Sequence, residues 1–172
     1  DLTGKRVAVI GSGASAIQFV PKIQPKVAKL VLFQRTPQWV LPKMDQTLSP
    51  LMHQLFKRLP LTQLAMRGAI FSVFEALNGS MHHPKIMQQF QRLALFNLQK
   101  TVKDPVLRQK LTPNFIIGCK RVLQSNEWYP AIIQKNVEIV FEGVKEIRAH
   151  SLVADDDVEH EVDVIILGTG FE

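Results

Sequence analysis

Six consecutive residues, Gly11-Ser12-Gly13-Ala14-Ser15-Ala16, carry the clearest chemistry in the chain. They follow the apolar run Lys5 to Ile10 (KRVAVI) and lead into Ile17, Phe19, Val20 and Ile23, which recur at helical spacing. A glycine-rich turn between a strand and a helix is the context that a pyrophosphate site requires. In it Gly11 permits the tight turn, Gly13 lets the backbone approach a phosphate, and Ala16 in the third position keeps helix and strand close. The helix N-terminus adds free N–H groups and a partial positive charge. Two other readings stand beside this one: a glycine-rich turn that binds nothing, and the first loop of a methyltransferase, which also places glycines after its first strand.

The second strand, Leu30 to Phe33, decides which nucleotide fits. An NAD-binding unit carries Asp or Glu at its end to accept from the ribose hydroxyls. Here the sequence is Gln34-Arg35-Thr36, with no acid. A carboxylate would repel a 2′-phosphate, whereas an arginine grips it through a two-pronged fork. Arg35, with the Thr36 hydroxyl beside it, therefore points to NADP(H). A solvated surface arginine is the bland alternative. The missing acid also counts against the methyltransferase, which needs one for the ribose.

Gly118-Cys119-Lys120-Arg121 follows a strand-like apolar run. That placement would set two cations at the carboxyl edge of a parallel sheet, where ligands bind; an exposed basic pair is the competing reading. Arginine stays charged at any working pH, as a partner for developing negative charge must. Cys119 reads as a small buried residue rather than a nucleophile. His82-His83 lacks a third ligand at useful spacing, so it reads as loop, and no metal is expected.

These residues need a scaffold, and the pattern supplies one. The first 33 residues read strand, glycine turn, helix, strand, a parallel crossover unit. Pro21 is awkward inside that helix and is expected to kink or shorten it. A helical insertion is expected at about 43–110. Ser49-Pro50 opens one helix through a capping hydroxyl and a proline at the first helical position, with Leu51, Met52, Leu55, Phe56 and Leu59 on one face. A second runs from Leu61 to Leu77 and ends at Asn78-Gly79. A third runs from Pro84 to Lys100 with Ile86, Phe90, Leu93 and Asn97 on one side, and Asp104-Pro105 opens a fourth. The methionines and phenylalanines of these helices are expected in the core, with some facing a substrate cavity or further domains. Trp39 and Trp128 stay open between packing and interface.

Strands return with Val137 to Phe141. Val144 to Arg148 and Ser151 to Ala154 then form an antiparallel pair, and Asp155-Asp156-Asp157 turns the chain into Val158 to Glu161. Val162 to Leu167 (VDVIIL) reads as a buried strand that ends in Gly168-Thr169-Gly170. The expected fold class is α/β: a Rossmann-like parallel sheet with a helical insertion and a small antiparallel β-meander.

Composition fits one domain of this kind. The chain has 172 residues, of which 46% are hydrophobic and 21% charged, enough for a core and too little polar bias for disorder. The net charge of +6 favours an anionic partner. The basic residues are dispersed, which favours a small phosphorylated ligand over nucleic acid. The one cysteine excludes an internal disulfide and a CxxC redox pair and suits a reducing compartment, so a cytoplasmic location is expected. No apolar run is long enough to cross a bilayer and no signal peptide is visible. The chain starts at Asp1 without methionine and stops at Phe171-Glu172 just after a strand, so both ends read as cuts through a longer protein.

Four segments together carry a more specific signal: DLTGKRVAVIGSGASAIQ at Asp1 to Gln18, FQRTPQWVLP at Phe33 to Pro42, LTPNFIIGCKRVLQSNEWYPAI at Leu111 to Ile132, and DVIILGTGF at Asp163 to Phe171. In this order they resemble the NADPH domain of the class B flavoprotein monooxygenases, most of all the Baeyer–Villiger monooxygenases. The resemblance spans nearly the whole chain. It implies that Gly11, Ser12, Gly13, Ala14, Ser15 and Ala16 hold the pyrophosphate with Gln18 beside them. Arg35, Thr36 and Lys120 would hold the 2′-phosphate. Arg121 would face flavin and nicotinamide as the catalytic cation that stabilises a negative peroxyflavin. Gly168-Thr169-Gly170 matches a segment that usually begins with alanine and returns towards the FAD domain.

The same resemblance implies that the FAD domain, with its own glycine fingerprint and a Phe-Gly-His-Trp signature, lies outside this sequence. In the whole enzyme NADPH would reduce FAD, and the peroxyflavin formed with O2 would insert oxygen into a ketone or oxidise nitrogen or sulfur. The fragment alone would bind NADP(H) without oxygenating anything. Its partners would be the FAD domain of the same chain, a small ketone or heteroatom substrate, and O2. Two alternatives remain open: the nucleotide domain of another flavoprotein reductase, weakened by the missing CxxC pair, and a non-catalytic NADP-binding module.

Overall fold

The computed structural model describes residues 1–43, 47–80 and 84–170. His82-His83 lies outside the described residues. A four-stranded parallel sheet organises the fold. It is built from β1 (Arg6–Ile10), β2 (Lys29–Phe33), β5 (Val137–Val140) and β9 (Val164–Leu167) in the order β5-β2-β1-β9. Side chains of successive strand residues point to opposite faces. Val7, Val9, Leu30 and Leu32 therefore pack on one side against α1 (Ala16–Ile23) and α6 (Trp128–Ile132). Ala8, Val31 and Phe33 pack on the other against Leu152 and Ala154. Those two belong to β7 (Ser151–Ala154), the middle strand of an antiparallel sheet with β6 (Val144–Ile147) and β8 (Glu159–Glu161). The expected α/β class, with its parallel sheet, helices and meander, is what forms.

Between β3 (Val40–Leu41) and β4 (Leu123–Gln124) lie α2 (Pro50–Arg58), α3 (Pro60–Ser80), α4 (Pro84–Thr101) and α5 (Pro105–Lys110). Ser49 Oγ accepts from Met52 N–H at 3.3 Å and Asp104 Oδ1 from Val106 N–H at 2.9 Å, so both expected caps form. Pro21 does not break α1: Gln24 N–H still donates to Val20 O at 2.9 Å beyond it.

Several expectations need correction. α3 runs through Asn78-Gly79 to Ser80 instead of ending there. On α4 the buried residues are Met87, Ala94 and Leu98, while Ile86 and Leu93 are exposed, because the helix turns towards Trp39 and Ile117. Asn97 is half-buried, and its Nδ2–H donates to Val40 O at 3.3 Å. The apolar faces of α2 and α3 are not core: Leu51, Leu55, Leu59, Phe71 and Phe74 are all exposed. Both tryptophans are packing residues, each 3% exposed. β9 is an edge strand, half-buried and exposed at Leu167 rather than buried throughout.

The candidate nucleotide site and two adjoining clefts

The four parallel strands finish in one row. Ile10 is in register with Phe33 and with Leu167, and Phe33 with Val140. The residues that follow knit this carboxyl edge together: Gly11 N–H donates to Phe33 O at 3.0 Å, Gln34 N–H to Val140 O at 2.8 Å, and Gly168 N–H to Ile10 O at 2.8 Å. The glycine loop, Arg35 and the Gly168-Thr169-Gly170 segment are thus neighbours by the geometry of the sheet, at the edge where ligands bind in folds of this type.

The two loop glycines have different reasons to be glycine. Gly11 has φ +107°, and a Cβ there would stand 2.5 Å from the carbonyl oxygen of Gly168. Its lack of a side chain is forced by protein backbone. At Gly13 a Cβ would meet only Gly168 O, at 4.0 Å, and the backbone is ordinary. No protein neighbour requires glycine at that position. Its bare face suits close approach by a phosphate, which is the test that the loop passes as a nucleotide cradle. Ser15 precedes α1 without making a side-chain cap, so its hydroxyl is not committed to the helix. Gln18 Nε2–H donates to Ala14 O at 3.0 Å, bracing the loop.

The stretch after β2 lies against this loop, where Ser12 Oγ–H reaches Thr36 O at 3.5 Å and Gln38 Nε2–H donates to the same oxygen at 3.4 Å. Arg35 is exposed and makes no ion pair with a described residue. Gln34 beside it is buried, with Oε1 lacking a hydrogen-bond partner.

Phe115 to Ile117 is not a strand, contrary to expectation; it forms turns that lead into β4. Lys120 and Arg121 therefore precede β4 in the two-stranded parallel pair β3–β4 instead of following a strand of the main sheet. Trp39 bridges the two regions. Its Nε1–H donates to Phe115 O at 2.7 Å, its carbonyl accepts from Leu123 N–H at 3.0 Å, and the Lys120 ammonium lies 4.8 Å from the Phe115 ring centroid. This cation–π contact and the tryptophan bond hold the Lys120 segment against the chain that leaves Arg35. Cys119 is exposed, which corrects the buried reading: the turn at Gly118 lifts it out of the apolar cluster around Ile117.

Two clefts open beside the loop and share a wall at Arg121, Val122 and Gln124. The first, about 780 Å³, reaches from Ala14, Ile17 and Gln18 of the glycine loop and α1 across to Ser125 and Asn126. The second, about 540 Å³, is more apolar, with Leu41, Phe74, Met87 and Phe90 among its lining. Arg121 is exposed, forms no ion pair with a described residue, and borders both. The sequence reading missed Ser125 and Asn126. Only Ser125 carried a local signal, since its Oγ accepts from Glu127 and Trp128 N–H, both at 3.1 Å; Asn126 exchanges hydrogen bonds of 2.9 and 2.8 Å with the backbone of Lys43, 83 residues away. The apolar wall carried no such signal, because Met87 and Phe90 look like any core stripe. Among the described residues no cluster of His, Cys, Asp and Glu could hold a metal, and no helix is long and apolar enough to cross a membrane.

Comparison with known proteins gives this geometry its context. A Baeyer–Villiger monooxygenase of Pseudomonas aeruginosa is 50% identical over 172 residues, and another from Streptomyces coelicolor is 47% identical; each alignment covers 99% of this chain and 33% of the relative. The chain is a relative of the Baeyer–Villiger monooxygenases. It spans about a third of the length of those two enzymes. No protein-family model matches it. Among solved structures, the complex of OTEMO with FAD and NADP superposes with a TM-score of 0.79 at 26% identity, over all of this chain and 39% of the other. A Baeyer–Villiger relative with a parallel sheet, a glycine turn and flanking cations is therefore consistent from sequence through to fold.

Proposed function

We propose that this chain is the NADPH-binding domain of an FAD-dependent monooxygenase, a single domain whose helices between β3 and β4 are an insertion in it. In the whole enzyme NADPH would reduce FAD, and FAD with O2 would supply the oxygen atom inserted into a ketone, or added to nitrogen or sulfur. A cytoplasmic location belongs to the same reading. The observation that carries it is the glycine loop: Gly13 is bare with no protein reason to be, one strand away from an arginine that pairs with no described residue, and with no acid in between.

Each candidate residue then has a task set by its place. Backbone N–H groups from Ser12 to Ala16 receive the pyrophosphate at the start of α1, with Gln18 keeping the loop in shape. Arg35 takes the 2′-phosphate through its fork, Thr36 adds a hydroxyl, and Lys120 closes from the β4 side. Thr169 and Gly170 continue the edge that Gly168 begins. Arg121 keeps a fixed positive charge at the junction of the two clefts, where charge develops on the reacting group. The apolar second cleft fits the organic substrate, with Met87 and Phe90 shaping it and excluding water.

Titration with 2′,5′-ADP and 5′-AMP by calorimetry tests the reading without needing FAD. The 2′-phosphate should add about 1–3 kcal/mol, the worth of charge-assisted hydrogen bonds. Equal binding of the two ligands, or none, would remove the NADPH assignment.

A further inference from the structure

The two cations assigned to the 2′-phosphate come from distant parts of the chain, and they differ in stiffness. Lysine is a point charge on a flexible four-carbon stem, and an exposed one samples many rotamers. Lys120 is exposed, and no described carboxylate pairs with it. Its ammonium nevertheless has a fixed place, 4.8 Å from the centroid of the Phe115 ring.

The local backbone explains how these two side chains meet. Cys119 N–H donates to Ile116 O at 3.1 Å, which closes a β-turn from Ile116 to Cys119. Gly118, third in that turn, has φ +98°, a conformation that favours glycine. Phe115 and Lys120 flank the turn, so the chain reverses between them and brings ring and ammonium together. Ile117, inside the turn, is buried with Trp39, Met87 and Ala94, which fastens the turn to the body of the domain. Phe115 packs against the same cluster, and its carbonyl accepts from Trp39 Nε1–H at 2.7 Å. Trp39 lies on the segment that leaves Arg35. The ring beneath Lys120 is therefore fixed relative to the segment that carries the other cation.

A ring does for this lysine what an acid could not. A carboxylate would also hold the ammonium, but it would neutralise the charge and compete with an incoming phosphate. An aromatic face attracts the cation through its quadrupole and leaves the charge in place. The ammonium has three N–H donors, and a ring on one side leaves donors for an anion on the other. A side chain already ordered before binding loses less entropy when the ligand arrives.

We propose that Phe115 is a positioning residue for nucleotide selectivity. Its ring, held by Trp39 and by the turn at Gly118, keeps the Lys120 ammonium ready for the 2′-phosphate and so favours NADP(H) over NAD(H). This rests on the assignment of Lys120 to that phosphate. The ring acts through Lys120 alone and has no part in holding the rest of the nucleotide.

The test uses the full-length chain that carries these residues, purified with its FAD, and measures affinity for 2′,5′-ADP and 5′-AMP by calorimetry. Phe115→Leu should weaken 2′,5′-ADP roughly two- to fivefold, the worth of a cation–π contact at an exposed site, and leave 5′-AMP unchanged. Phe115→Tyr keeps an aromatic face and should keep the wild-type ratio of the two affinities. Replacing Phe115 by a trifluorinated phenylalanine nearly preserves its shape but drains the negative face of the ring. It should reproduce the selective loss without any change in packing. In a Lys120→Ala background none of these changes should alter the ratio further, since the partner of the ring is gone. Wild-type protein that binds both ligands alike would remove the NADPH reading and this proposal with it. A 2′-phosphate preference that falls in Lys120→Ala but survives both Phe115→Leu and the fluorinated ring overturns the proposal and leaves that reading standing. A preference insensitive to Lys120→Ala does the same. Equal loss for both ligands, or a loss in Phe115→Leu that persists without Lys120, makes Phe115 a packing residue only and overturns the proposal as well.

Discussion

Arg6 and Asp163 hold each other at four points. Arg6 N–H and Nε–H donate to Asp163 Oδ2 at 2.8 and 3.2 Å, a guanidinium N–H donates to Oδ1 at 2.7 Å, and Asp163 N–H returns a bond to Arg6 O at 2.8 Å. The pair fastens the start of β1 to the start of β9, across 157 residues of sequence. Glu161 adds a further ion pair to the same guanidinium.

The Arg6 hydrogen bonds, side chain first and backbone second, hold the Asp163 carboxyl down to about 2. A depressed carboxylate stabilises the fold above its unfolded value of about 3.9, and that contribution is lost as pH falls through the folded value. Urea midpoints of the chain should therefore fall between about pH 4 and pH 2. In Asp163→Asn this part of the acid dependence should be missing, with a lower midpoint at neutral pH.

Tyr129 gives the opposite case at the alkaline end. It is the one tyrosine in the chain, and burial pushes its hydroxyl well above the ordinary range. A raised folded value means full stabilisation below about pH 10 and loss above it. Tyrosinate absorbance should therefore appear together with loss of helical circular dichroism, not ahead of it. A tyrosinate signal in a still-folded chain would contradict the burial.

The two loop glycines should separate stability from binding. Gly11→Ala forces a side chain into φ +107° and against Gly168 O, and should destabilise the fold by about 2–4 kcal/mol in denaturant titration. Gly13→Ala has space in the protein and should change stability by less than about 1 kcal/mol. It should nevertheless weaken 2′,5′-ADP and 5′-AMP alike, because both place a phosphate near the loop.

Arg35→Ala should act on one ligand only. Affinity for 2′,5′-ADP should drop by about 1–3 kcal/mol while 5′-AMP is unchanged. Lys120→Ala should show a smaller loss of the same kind. Equal loss for both ligands would move these residues from the 2′-phosphate to general electrostatics.

The first crossover unit was legible because its signals are local: β-branched runs, a glycine turn and helical spacing within a few dozen residues. The caps at Ser49 and Asp104 were legible for the same reason. The β3–β4 pair was not. Each strand is two residues long, and their pairing depends on Trp39 meeting Leu123 and Phe115 from far along the chain. That hidden pair is also why Lys120 and Arg121 were expected to follow a strand instead of leading into one. The face of α4 was misjudged because periodicity gives an apolar stripe without saying which part of it meets a partner. The exposure of Cys119 follows from the turn at Gly118, which composition does not reveal.

The back wall of the glycine turn is the carbonyl of Gly168, just after β9, more than 150 residues beyond the turn itself. During synthesis, a chain that has emerged only as far as β5 has every residue of the loop but not the surface that shapes it. The turn can take its final form only after residue 168 has left the ribosome and β9 has paired with β1. Strand pairing over such separations is slow to form. Assembly of this edge therefore waits for β9, and protease sensitivity of β9 should report directly on whether the loop is assembled.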